Sequence, residues 1–157
     1  MPSPSRLPSA SAPAGAAEPA GQRPPPRGQG QLVLVIDDEE SILVSLCGLL
    51  GHFGYEVIAA RNGEEGLAAF RRRAAEVRLV ITDLMMPVVD GREVLSAVHR
   101  ENPRLPVIAM SGLPTHRAEL RGKYGSNFRF LLKPFFVEET LAVVHELLGS
   151  SGPGAPG

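Results

Sequence analysis

From residue 31 onward the apolar positions fall into two alternating rhythms. Leu32–Ile36 is an unbroken aliphatic run, which suits a strand buried on both faces. After it Ile42, Leu43, Leu46, Leu49, Leu50 and Phe53 recur at helical spacing, and Gly54 supplies a stop. The alternation then repeats. Strands are predicted over 55–59, 78–82, 106–110 and 128–132, and helices over 64–75, 92–101 and 115–124. Val137, Leu141, Val144 and Leu148 mark a closing helix. The helix over 115–124 is the weakest of these, with few apolar positions and Gly122 inside it. Strands alternating with helices imply parallel βαβ units with right-handed crossovers, hence an α/β domain with a five-stranded parallel sheet between helical layers. Ligands of such a sheet sit beyond the carboxyl ends of its strands.

The rhythm is absent at both ends. Residues 1–30 hold eight of the 15 prolines, much Ala, Ser and Gly, and Leu7 as the one large aliphatic. Such a stretch buries too little apolar surface to offset its ordering entropy. A disordered Pro/Ala-rich tail is expected over 1–30, a folded domain over 31–149 and a flexible Gly/Ser/Pro tail over 150–157. No further domain pattern follows residue 149, so the expectation is a protein that is not by itself a transcription factor.

Composition narrows the class. A chain of 157 residues with 43% hydrophobic and 21% charged residues suits one globular domain. The net charge of -1 gives no electrostatic case for nucleic acid or an anionic membrane as partner. One cysteine rules out an internal disulfide. No apolar run approaches the roughly 18 residues of a spanning helix, and the prolines of the N-terminal stretch oppose a transit helix. The cytoplasm is therefore the expected compartment.

Chemistry gathers where the predicted strands end. The first strand runs into Asp37-Asp38, the third into Asp83, the fourth into Ser111 and the fifth into Lys133-Pro134. In a parallel sheet these ends share one edge. Adjacent carboxylates repel, and a hard cation such as Mg²⁺ relieves them through oxygen ligands. A lysine adds movable positive charge and a hydroxyl a hydrogen-bond donor. Together they are equipment for phosphoryl transfer to a carboxylate, which at a reference pKa of about 3.9 needs no general base. Each piece also has a structural reading. Asp37, Asp38 and Glu39 could cap the first helix, Asp83 and Ser111-Gly112 could be turns, and Lys133 could be solvated surface. Their joint placement on one edge favours chemistry.

The ordered set Leu34-Val35-Ile36-Asp37-Asp38-Glu39, Asp83-Leu84-Met85-Met86-Pro87 with Asp90-Gly91, Met110-Ser111-Gly112 and Leu132-Lys133-Pro134-Phe135 resembles the receiver domains of two-component response regulators (the CheY-like superfamily). The resemblance covers nearly all of residues 31–149. It implies a flavodoxin-like (βα)5 three-layer sandwich with strand order 2-1-3-4-5. It implies Asp83 as phosphoacceptor, Mg²⁺ held by Asp37, Asp38, Asp83 and the backbone carbonyl of Met85, and Lys133 on the acceptor carboxylate and the phosphoryl group. It implies Ser111 and Phe130 as switch residues and a cis Lys133-Pro134 peptide bond. The donor would be a histidine kinase or a histidine phosphotransfer protein. Phosphorylation would reshape the surface of the fourth helix, fifth strand and fifth helix for an unidentified protein target or a phosphorylation-dependent dimer, with no nucleic acid and no membrane as partner. The resemblance also implies that Met85 and Leu113, two positions beyond the acceptor and the hydroxyl, would flank the path of hydrolytic water. Both are apolar, so a long-lived aspartyl phosphate is expected.

Two other readings stand beside this one. A haloacid-dehalogenase-type aspartyl phosphatase would carry Asp-x-Asp after its first strand, where this chain has Asp37-Asp38-Glu39. A phosphorylation-independent receiver-like interaction module would usually lack one of the acids, the hydroxyl or the lysine. Cys47 reads as a small helix residue facing the core. His52, His99, His116 and His145 lack ligand spacing and read as surface, and Arg71-Arg72-Arg73 as a solvated helix end.

Overall fold

A computed structural model describes residues 26–149 of the chain. The sheet has five strands, β1 (Leu32–Ile36), β2 (Glu56–Ala60), β3 (Val77–Asp83), β4 (Val107–Ser111) and β5 (Phe128–Leu132). All are parallel, in the order β2-β1-β3-β4-β5. The helices are α1 (Glu40–His52), α2 (Gly63–Arg72), α3 (Gly91–Glu101), α4 (His116–Tyr124) and α5 (Val137–Gly149). This is the predicted flavodoxin-like architecture, with boundaries within three residues of expectation. The short 3-10 turn Gly125–Asn127 ahead of β5 was not anticipated.

Strand alternation divides the core in two. Leu34, Ile36, Val80, Ala109 and Phe130 face α2, α3 and α4, with Phe70, Val94, Leu95, Val98 and Leu120 packed on them. Val33, Val35, Leu79, Ile81, Ile108, Met110 and Leu131 face α1 and α5, against Leu43, Leu46, Leu50, Leu141 and Val144. Because β1 is buried on both sides it reads as a continuous apolar run, as does Leu79–Ile81 within β3.

Helix starts place the site. Asn62 caps α2 by accepting the Glu65 amide at 2.8 Å, and Asp90 caps α3 by accepting the Glu93 amide at 3.0 Å. Gly91 lets α3 begin hard against the end of β3, because a side chain there would run into the Asp83 carbonyl oxygen.

The expected tail boundary at residue 30 needs correction. Gly28 and Gly30 donate their amides to the carbonyls of Phe53 (2.6 Å) and Gly54 (2.7 Å), and the Arg27 guanidinium donates to the His52 carbonyl at 3.0 Å. Residues 27–30 therefore close the C-terminal end of α1, whose last carbonyls lack helical partners. The remainder of the expected tails, 1–25 and 150–157, lies outside the described residues. Among the described residues no helix is long and apolar enough to cross a membrane.

Candidate functional site

The strand register brings the chemistry together. Ile36 pairs with Thr82, Asp83 with Met110 and Ser111 with Leu132, so the residues that end β1, β3, β4 and β5 share one edge. Asp37, Asp38 and Asp83 each offer a carboxylate oxygen within 4.8 Å of the others. Asp37 and Asp83 are buried and Asp38 faces solvent. Asp37 divides its oxygens: Oδ1 accepts the Glu39 amide at 2.9 Å and Oδ2 accepts the Lys133 ammonium at 2.9 Å. The first of these is a turn ahead of α1 rather than a helix cap, since the N-cap residue is Glu39 and no side chain caps it. Lys133 Nζ also lies 3.4 Å from Asp83 Oδ1 and 3.8 Å from Glu39 Oε1. The sequence placed Glu39 in the first motif and as a possible cap, but gave it no place at the site.

Electrostatics follow from this crowding. Burial, with the neighbouring Asp37 charge, pushes the Asp83 carboxyl up to about 6, against the pull of Lys133 and of a hydrogen bond from the Met85 amide. For Lys133 burial acts downward, but the Asp37 hydrogen bond and the charges of Asp83 and Asp37 outweigh it, leaving the ammonium above its ordinary value. One lysine facing three acids leaves surplus negative charge. Hard oxygen donors with surplus charge fit a small divalent cation.

The remaining candidates lie around this centre. Ser111 is buried at the end of β4; its Oγ accepts the Leu113 amide at 3.0 Å and lies 3.1 Å from His116 Nδ1. Reading His116 as a surface residue was wrong: it is half-buried and tied to a site hydroxyl. Phe130 is turned into the core, with the Arg117 guanidinium 5.3 Å above its ring. The Lys133-Pro134 peptide bond is cis. The loops after β3, β4 and β5 present Met85, Val88, Leu113 and Phe136 to solvent.

Residues set aside stay aside. Burial raises the Cys47 thiol, opposite to what a nucleophile needs. Arg71 pairs with Glu101 at 3.0 Å, and Arg73 pairs with Glu56 at 3.2 Å and Glu76 at 2.8 Å, as a solvated helix end would.

Residues 33–145 match the family described as Response regulator receiver domain. The chain belongs to that family. It is 31% identical over 125 residues to the probable transcriptional regulatory protein TcrX of Mycobacterium tuberculosis, covering 80% of this chain and 53% of TcrX. A response regulator receiver domain protein from Clostridium thermocellum superposes with a TM-score of 0.70 at 30% identity, over 76% of this chain and 95% of that one. The response regulator TrrA of Thermotoga maritima, solved in complex with Mg²⁺-BeF, superposes with a TM-score of 0.66 at 30% identity, over 74% and 98%. The chain spans about half the length of the transcriptional regulators it matches. A receiver is a signalling domain of two-component systems, which sets the phosphatase reading aside. The names of its relatives give no support to the expectation that nucleic acid plays no part.

Proposed function

We propose that this receiver takes a phosphoryl group onto Asp83 from the phosphohistidine of a histidine kinase or a histidine phosphotransfer protein. The observation that carries this reading is one cluster: three carboxylates within 4.8 Å, and a lysine ammonium at 2.9 Å from Asp37 and 3.4 Å from Asp83.

In the transfer an Asp83 oxygen attacks phosphorus. The P–N bond to the donor histidine breaks as the P–O bond forms, and the departing electron pair stays on the imidazole nitrogen. At pH 7 an Asp83 carboxyl near 6 is mostly ionised, so attack requires no base. Lys133 holds the acceptor carboxylate and neutralises charge on the phosphoryl oxygens. Ser111 supplies a hydroxyl donor at the next strand end. Asp37, Asp38, Asp83 and the Met85 carbonyl would hold Mg²⁺, which when bound offsets negative charge on the transferring group. The apolar rim of Met85, Val88, Leu113 and Phe136 offers the donor a contact surface around an acidic centre. Ser111 and Phe130 then pass the change to the surface of α4, β5 and α5, where a downstream protein or a second copy of this chain would bind.

The test is Mg²⁺-dependent binding of beryllofluoride, an acyl-phosphate mimic, followed by ¹⁹F NMR. Binding is expected in the wild type and is lost in Asp83→Asn and on chelation of the metal. Equal binding by Asp83→Asn would remove Asp83 as acceptor.

A further inference from the structure

Ser111 has one proton to give, and His116 Nδ1 is placed to take it. A hydroxyl offers one O–H and two lone pairs. The Leu113 amide occupies one lone pair at 3.0 Å, and the only other polar partner of Oγ among the described residues is His116 Nδ1 at 3.1 Å. Ser111 is fully buried, so its O–H has a partner only if Nδ1 accepts it. That pairing assigns the neutral His116 ring its proton on Nε2.

His116 is also the first residue of α4, and no side-chain hydrogen bond caps that helix. Its first turn is instead tied by side chains to three neighbours. His116 meets Ser111 at the end of β4, Arg117 lies over Phe130 of β5, and Glu119 pairs with Arg92 of α3, the second oxygen at 3.0 Å.

We propose that His116 is a positioning residue that holds the Ser111 hydroxyl proton away from the acceptor site, and that a phosphoryl group on Asp83 competes with it for that proton. When the hydroxyl turns to the phosphoryl oxygen, His116 loses its partner and the first turn of α4 loses one of its three ties. The inference rests on the reading of Asp83 as phosphoacceptor and adds the residue that resists the switch.

Beryllofluoride affinity of the full chain in the presence of Mg²⁺ tests it. His116→Ala is expected to bind about two- to tenfold more tightly than wild type, the worth of one net hydrogen bond. His116→Asn, whose amide oxygen can accept the hydroxyl, is expected to return toward wild-type affinity. In a Ser111→Ala background, His116→Ala is expected to change nothing. Unchanged affinity on His116→Ala, or the same gain with Ser111 already removed, would overturn the proposal. Should the alanine variants not fold, ¹⁵N shifts of the His116 ring in the wild type decide. An Nε2–H tautomer with an accepting Nδ1 that changes on adding beryllofluoride supports the competition, and an Nδ1–H tautomer overturns it. Failure of the underlying reading looks different: the wild type itself does not bind, or Asp83→Asn binds as well.

Discussion

Helices α3 and α4 begin in comparable places, each a few residues after a strand that ends in a site residue, yet they are held in opposite ways. Asp90 caps α3 through the Glu93 amide, Gly91 seats it against β3, and Val94, Leu95 and Val98 are fully buried. Helix α4 has no side-chain cap, buries only Leu120 and Tyr124 of its nine residues, and leaves the buried Tyr124 hydroxyl without a partner. What α4 has instead are side-chain ties, of which the Glu119–Arg92 pair faces solvent and is worth little. Apolar burial and capping fix a helix; a few replaceable contacts leave it free to answer a change of partner. Asp83 thus stands beside the capped, deeply packed helix, and Ser111 beside the one that buries little.

Substitutions can break or sharpen this contrast. The largest effect is expected from Leu95→Ala, which opens a cavity in the α3 layer at a cost of about 3 kcal/mol. Glu119→Ala on α4 is expected to cost under about 1 kcal/mol, since it removes a solvent-facing pair. Urea denaturation of both variants checks the difference, and equal losses would erase it.

Next comes the charge stored at the end of β3. The folded Asp83 carboxyl sits near 6, above its ordinary 3.8, so its ionisation opposes folding in metal-free protein. Its favourable contribution is complete below about pH 3.8 and lost as pH rises through about 6. Asp83→Asn is therefore expected to gain stability on the order of 2 kcal/mol at pH 8, with no gain near pH 3.5. Melting curves with chelator across that range would show a pH-independent difference if the carboxyl were not raised.

Smaller again is the effect of the loops that lead into the two helices. Met85 precedes α3 and Leu113 precedes α4, and both expose apolar side chains. The double variant Met85→Asn, Leu113→Glu should lose its aspartyl phosphate about tenfold faster, roughly 1.4 kcal/mol of barrier. A dephosphorylation time course no faster than wild type would discard the idea that these side chains fail to position water. The smallest effect concerns the caps: Asp90→Ala should cost about 1 kcal/mol and Thr115→Ala next to nothing, compared by thermal melting.

The same contrast explains what could be read in the chain. Strand β1 announced itself because burial on both faces writes an unbroken aliphatic run, and β3 through its shorter run Leu79-Val80-Ile81. The acids, the hydroxyl and the lysine were legible because each follows such a run, so their meeting needed only the parallel order of the strands. Helix α4 was legible only faintly, since Leu120 and Tyr124 alone point inward and Gly122 interrupts it. The tie between His116 and Ser111 left no trace, because it depends on how a half-buried ring is turned, not on spacing. Residues 27–30 were misread for a related reason. They pack through backbone amides and one arginine, which composition does not record.

Gly91 has a mechanical consequence. With only a hydrogen atom between the start of α3 and the carbonyl of Asp83, those two parts are packed with no room for a methyl group. Any side chain at position 91 would therefore pry the helix away from the strand end that carries Asp83.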